Sequence, residues 1–117
     1  MRIMPAIREI ADILSSADYR VVLEHRAINP PCVLVIPSRV DTFTLCGGEL
    51  QASVIPIVPA VSELHDYEVL DEMLDGILDT LDPHVGLDSI EPATIGPGTT
   101  AQPLPALEIR VRTETGD

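Results

Sequence analysis

Apolar residues between Glu63 and Asp82 recur at steps of three and four, the spacing that places side chains on one face of an α-helix. We therefore predict an amphipathic helix over residues 63–82, with Pro59 before it and Pro83 after it. Its apolar stripe consists of Leu64, Tyr67, Leu70, Leu74, Ile77, Leu78 and Leu81. The remaining face carries acids and no Lys or Arg: Glu63, Asp66, Glu68, Asp71, Glu72, Asp75, Asp79 and Asp82.

This all-acid face has two interpretations. Like charges one helical turn apart repel each other mildly, and the sequence gives up the ion pairs that a mixed face would form. The carboxylates are either a solvated surface that keeps the protein soluble or a field that acts on a partner. The sequence alone leaves both interpretations open.

A shorter apolar stripe made of Ile3, Ile7, Ile10 and Leu14 predicts a first helix over residues 4–16. Two strand candidates follow it. Residues 20–25 read RVVLEH, and residues 32–36 read CVLVI, a short β-branched and aliphatic run that is typical of a central strand. We expect Pro37 to end the second strand, because proline lacks the backbone N–H that a sheet requires.

A β-hairpin is predicted next, from residues 41–46 and 50–58, with Gly47 and Gly48 supplying its tight turn. Pro56 favours an edge position or a bulge for the returning strand. Near the end of the chain, apolar and charged residues alternate over residues 106–113, which predicts a last strand with one wet face.

Residues 88–105 are rich in Pro, Gly and Thr and are predicted to form an extended loop or arm. Residues 114–117 are predicted to be a frayed tail. The whole chain, 1–117, then forms a single α+β domain with two layers. We expect a mostly antiparallel sheet of four or five strands with two helices on one face.

The second face of that sheet is expected to be partly apolar, because Ile55 and Ile57 share it with Gln51 and Ser53. Exposed apolar surface on a chain this small favours contact with other copies. We therefore predict a homo-oligomer, with contacts through residues 39–49 and 88–105.

The composition excludes some partners. The chain has 117 residues, a net charge of −12, seven Arg and no Lys. A basic patch that binds nucleic acid is not expected, since neutralising phosphates requires cations. Cys32 and Cys46 lie in apolar surroundings and are predicted to be free, buried thiols. The chain has no signal peptide pattern and no membrane-length apolar run, so we expect a soluble protein of a reducing cytoplasm, with no membrane partner.

Few residues are candidates for catalysis or ligand binding, and each of them also has a purely structural explanation. The candidates are the hydroxyls of Ser15 and Ser16, the pair His65 and Asp66, the acids Asp71, Glu72, Asp75 and Asp79, the segment Gly96-Pro97-Gly98, and Arg110 and Arg112 beside Glu108. They lack the nucleophile and base pairing, the metal-ligand spacing or the phosphate-loop pattern that catalysis and cofactor binding require. We predict no catalytic residue, no cofactor, no metal site and no enzyme activity.

The order of the elements resembles a known family. A short helix and a strand are followed by Pro30-Pro31 and an apolar strand (residues 32–36), a Gly-rich hairpin that returns through residues 54–58, a helix, a loop and a last alternating strand. This layout is similar to that of the tail terminator proteins of long-tailed double-stranded DNA bacteriophages over roughly residues 3–114.

The resemblance implies a structural virion protein at the interface of head and tail, assembled in the host cytoplasm. Such proteins form a ring, usually a hexamer, that caps the finished tail tube and offers a surface to the head-completion or neck proteins. Double-stranded DNA passes through the ring without specific binding. Carboxylates beside such a channel would repel phosphates during ejection.

Two other functions are considered. The first is a neck or head–tail connector subunit of the same virion. The second is an acidic mimic of DNA that inhibits a nucleic-acid-binding protein, for which the net charge and the acidic helix are the arguments.

Overall fold

Two helices and five strands form the part of the chain that the computed structural model describes, residues 3–42, 48–95 and 103–115. The elements are α1 (Ile3–Ser16), β1 (Val21–Val22), β2 (Cys32–Thr42), β3 (Gly48–Ile57), α2 (Glu63–Leu81), β4 (Gly86–Ile95) and β5 (Leu104–Thr115), with a 3-10 helix (His25–Ala27) after β1. The strands lie in the order β1-β2-β3-β5-β4. Only the β1–β2 pair is parallel, and the α+β fold class is confirmed.

Both predicted helices are confirmed, and each has a defined end. At the end of α1 the backbone N–H of Tyr19 donates to the carbonyl of Leu14 (3.2 Å), and that of Asp18 donates to the carbonyl of Ser15 (3.1 Å). This pair of hydrogen bonds is the Schellman motif. Asp18 accordingly has a left-handed backbone with φ 69°. The α2 helix begins after its N-cap, Ser62, and ends before Asp82.

The strands differ from the prediction in two places. β2 does not end at Pro37 but continues to Thr42, with an irregularity in its pairing with β3 between Pro37 and Arg39. The bulge accommodates the residue that cannot donate a ladder hydrogen bond. The strand predicted over 20–25 is reduced to Val21–Val22.

Pro56 is not at an edge, because β3 lies between β2 and β5. The pairing of β3 with β5 instead lapses at Ile55 and Pro56, between the pairs Val54–Ile109 and Ile57–Ala106. The central strand therefore tolerates proline at a point where one ladder is interrupted. The predicted hairpin is confirmed as the antiparallel β2–β3 pair, whereas its turn falls in residues 43–47, outside the described residues.

The loop predicted over 88–105 is wrong for its first half, since Gly86–Ile95 is β4 and pairs with β5 along its length. β4 is an edge strand, and an edge accepts Pro92 because only one side of the strand needs donors. Residues 96–102 lie outside the described residues. The predicted last strand is confirmed and is longer than expected, because β5 reaches Thr115, so residues 114 and 115 are not a frayed tail.

The sheet is buried on both faces. The main core joins α1 and α2 to one face through Ile7, Ile10, Leu14, Val33, Val35, Leu50, Ala52, Val54, Ile77, Leu81, Ile109 and Val111. A second cluster lies on the other face and consists of Ile28, Cys32, Leu34, Ile55, Ile57, Leu104 and Ala106. Ile55 and Ile57 are 3% and 0% exposed within the single chain. The expectation that they form an exposed apolar face is therefore wrong.

Candidate functional site

The helical layer leaves one strand of the sheet uncovered. α2 packs against α1, β3 and β5, whereas the main neighbour of β4 is β5. The result is an open groove of about 480 Å³ between α2 and the outer part of the sheet. We call it the α2–β4 groove, and it is lined by Tyr67, Glu68, Asp71, Leu74, Ile90, Pro92 and Leu107. A smaller cavity of about 160 Å³ continues beside it, between Leu78 and Leu87.

Exposed apolar side chains accompany this groove. The described residues include six large apolar side chains that are exposed, and five of them come from residues 61–67 or from β4. We call these five the α2–β4 strip: Val61, Leu64, Tyr67, Leu87 and Ile90. Val61 and Leu64 are 71% and 73% exposed. Tyr67 and Ile90 line the groove itself, and Leu87 lines the smaller cavity. Exposed apolar side chains at a groove of a small chain indicate a contact surface.

The first turn of α2 is fixed by two hydrogen bonds to side chains. The backbone N–H of His65 donates to Ser62 Oγ (3.3 Å), and the backbone N–H of Val61 donates to Asp66 Oδ1 (3.1 Å). Both bonds satisfy donors at the helix start, where the backbone has no intrahelical partners. Asp66 is buried, so its assignment to the solvated acidic face is wrong.

The other acids of α2 are exposed as predicted. They are Glu63, Glu68, Asp71, Glu72, Asp75 and Asp79, together with the C-cap residue Asp82. Glu68 and Asp71 line the α2–β4 groove, so the groove combines apolar walls with a negative rim. The apolar stripe of α2 differs from the prediction at its start, where Leu64 and Tyr67 are exposed, while Leu70, Ile77 and Leu81 are buried.

The structure does not assemble the candidate chemical groups into a reactive site. Ser16 Oγ donates to the carbonyl of Asp12 (2.9 Å), and Ser15 is in the last turn of α1. His65 is exposed, and the carboxylate of Asp66 accepts from Val61. Across residues 3–42, 48–95 and 103–115, no group of three His, Cys, Asp or Glu side chains could hold a metal ion. The segment 96–98 lies outside the described residues.

Arg110 and Arg112 form ion pairs within the chain. Arg110 Nη2 contacts Glu108 Oε1 (3.1 Å), and Arg112 pairs with Asp88 of the neighbouring strand. Ser53 Oγ also donates to Glu108 Oε2 (2.8 Å). These contacts form the polar half of the sheet face that lies away from the helices, so both arginines have ion-pair partners within the chain.

Cys32 is buried and free, as predicted, whereas Cys46 lies outside the described residues. Burial raises the pKa of the Cys32 thiol above its ordinary value. A backbone hydrogen bond with Asn29 and the charge of Arg20 lower that pKa by less. A thiol in this state is a packing group and a poor nucleophile.

The β4 side of the groove, formed by Leu87, Ile90 and Pro92, was not predicted. The proline and glycine content of residues 88–105 had indicated a loop there. A signal for Leu64 was present. It lies six residues before Leu70, which is roughly a third of a turn around the helix, so the two side chains cannot share one narrow buried stripe.

Comparison of the chain with known protein families and with curated proteins finds no match. Among the described residues, no helix is both long enough and apolar enough to cross a membrane. The groove and the acidic face of α2 are therefore the features from which a function is argued.

Proposed function

We propose that this chain is a structural subunit of a phage tail terminator, which assembles as a ring, caps the tail tube and presents a surface to the head-completion proteins. The α+β fold keeps the order of helices and strands on which the sequence resemblance rests, with β4 in place of part of the predicted loop. The described residues include an open, largely apolar groove, which suits a protein that acts by contact with its neighbours.

The observation that carries this proposal is the α2–β4 strip beside the uncovered edge strand. Burying apolar surface contributes roughly 25 cal/mol per Å². A protein neighbour that covers the strip would therefore gain stability by burying apolar surface. The second sheet face offers no such gain, because it is already buried within the chain. A ring gives every subunit such a neighbour.

The exposed acids of α2 support the passage of DNA through the ring. A helix of 19 residues is about 28 Å long at 1.5 Å per residue, and its outer face carries no cation. Carboxylates along such a surface repel phosphates and prevent DNA from sticking.

The test is to polymerise the tail tube protein of the same virion with and without this chain. We expect short tubes with extra density at one end in negative-stain electron microscopy, whereas tubes grown without the chain should be long and uncapped. Tubes of unchanged length with no bound chain would contradict the proposal. Binding to the head-completion protein without binding to the tube would assign the chain to the neck instead.

The exposed acidic face also favours a second candidate, an inhibitor that mimics DNA. Such a mimic would displace DNA from a nucleic-acid-binding protein of the host. The discriminating measurement is a pull-down from host lysate with and without competing duplex DNA. Capture of a DNA-binding protein that DNA abolishes, together with no effect on tube length, would favour the mimic.

A further inference from the structure

The described part of the chain has one large exposed apolar side chain outside the α2–β4 strip, and a cation accompanies it. Met4 on α1 is 41% exposed. Arg8 follows one helical turn later, is exposed and forms no ion pair within the described residues. Residues four apart are neighbours on a helix surface, so Met4 and Arg8 form one small surface that combines an apolar side chain with a cation, and Asp12 borders it one turn further along α1.

We propose that the α2–β4 groove of one copy receives the Met4–Arg8 surface of the next copy. Met4 enters between Tyr67 and Ile90, and Arg8 lies at the rim near Glu68 and Asp71. This inference rests on the ring of the proposed function and names the two surfaces that build it.

Charge complementarity favours the Met4–Arg8 surface of a second copy as the occupant of the groove. Arg26 already pairs with Glu24, Arg110 with Glu108, and Arg112 with Asp88. Arg8 is an exposed arginine that has an exposed apolar neighbour one turn away and forms no ion pair among the described residues. Because each copy carries a net charge of −12, two copies repel at long range, and contact requires a cation placed against the acidic rim.

Side-chain docking also fits the edge strand better than extension of the sheet. A continuous strand pairing across β4 would need a row of backbone donors, and Pro92 has none. The groove beside Pro92 offers side-chain contacts that need no backbone ladder.

The contact is head-to-tail, because its two halves are different surfaces. α1 packs over β1 and β2, while the groove lies beside β4 at the other end of the strand order. A contact of this kind leaves each copy with one free donor surface and one free groove, so it repeats in one direction and closes into a ring if the rotation permits.

The first experiment measures self-association of the full chain by sedimentation equilibrium at concentrations up to several hundred micromolar. We expect the wild type to associate, and Arg8→Glu and Tyr67→Asp each to raise the dissociation constant about tenfold or more. Arg26→Glu makes the same change of charge outside the proposed contact and should leave association nearly unchanged. A wild type that stays monomeric, or Arg8→Glu that behaves like Arg26→Glu, overturns the inference.

The second experiment uses the directionality of the contact. Arg8→Glu retains a working groove, and Tyr67→Asp retains a working Met4–Arg8 surface, so a mixture of the two should form 1:1 dimers and nothing larger. The double variant Arg8→Glu/Glu68→Arg should regain association within one chain. A symmetric groove-to-groove contact instead predicts that Arg8→Glu copies associate with each other and that no mixed dimer forms, and that result overturns the head-to-tail pairing.

Tube capping separates the inference from the proposed function. Normal capping by an Arg8→Glu variant that no longer associates through this contact would remove the inference and keep the terminator function. Association that follows every expectation above, without any effect on tubes, would keep the pairing and remove the terminator function.

Discussion

Single residues fix the connection between α1 and the sheet. Asp18 holds a left-handed backbone at the end of α1, a conformation that residues other than glycine, asparagine and aspartate rarely adopt. Tyr19 follows it and packs over Gly76 of α2. Cys32 then begins β2 as a buried thiol. Each of these residues has a physical cost or constraint that a single substitution can measure.

We expect Asp18→Gly to stabilise the chain by about 0.5–1 kcal/mol, because glycine adopts the left-handed backbone without strain from a Cβ atom. Urea denaturation monitored by circular dichroism gives the change in the free energy of unfolding. Asp12→Gly is the control, since it places the same residue inside α1 and should destabilise by about 0.3 kcal/mol. Equal effects of the two substitutions would argue against the left-handed assignment.

We expect the contribution of Cys32 to stability to fall at alkaline pH. Its pKa is raised above the ordinary 9.0, so above that pH the unfolded chain loses a proton that the native chain keeps. Unfolding then releases a proton, and the free energy of unfolding decreases as pH rises, by at most about 1.4 kcal/mol per pH unit. The measurement compares Cys46→Ser with Cys32→Ala/Cys46→Ser between pH 8 and pH 11. A slope that survives removal of Cys32 has another origin.

Among the elements, α2 shows which features a hydrophobic pattern can and cannot predict. Its bounds and acidic face followed from spacing and charge, because both depend on local residue types. The exposure of Leu64 and Tyr67 did not, since it depends on where the helix layer ends above the sheet. β4 was missed for a related reason: partner strand β5 supplies its hydrogen bonds, and no local pattern records that partner.

Substitutions of Ile77 and Leu74 test the difference between the buried face of α2 and the part of α2 that lines the groove. Ile77 is fully buried in the main core, and Ile77→Ala should cost about 2–5 kcal/mol through lost packing and a cavity. Leu74, predicted from the sequence to be a core residue, is half-buried at the wall of the α2–β4 groove, so Leu74→Ala should cost clearly less. Thermal and urea denaturation of both variants check the order. A larger loss from Leu74→Ala would mean that the groove is closed in solution.

The contact between Tyr19, which follows α1, and Gly76 of α2 leads to a further prediction. A methyl group at Gly76 would overlap the Tyr19 hydroxyl and lie 3.4 Å from its Cζ. Gly76→Ala should therefore fail to give the roughly 1 kcal/mol that alanine normally adds to a helix interior. In a Tyr19→Phe background, which removes the hydroxyl, the same substitution should become stabilising. Identical effects in both backgrounds would exclude the clash.

For the whole molecule, the acidic face and the groove are separable. Glu72, Asp75 and Asp79 are exposed and do not line the groove. Replacing all three with Lys should leave folding intact, because exposed like charges do not hold the chain together, and it should not weaken self-association, because the repulsion between copies falls. If the ring carries DNA, particles with these substitutions should eject DNA poorly, and the purified ring should retain duplex DNA at low salt. Normal ejection by such particles would leave the acids as a solubilising surface only.

Pro92, in the uncovered edge strand, affects when two subunits can associate stably. An edge strand able to pair with another strand would commit two subunits on first encounter and would trap wrong pairs. Because Pro92 has no backbone N–H to donate, a contact at this edge relies on side chains. Such a contact has a fast dissociation rate. If the proposed ring forms on a tail tube, its subunits can sample many partners and join late, when the finished tube holds several of them in register at once and their weak contacts act together.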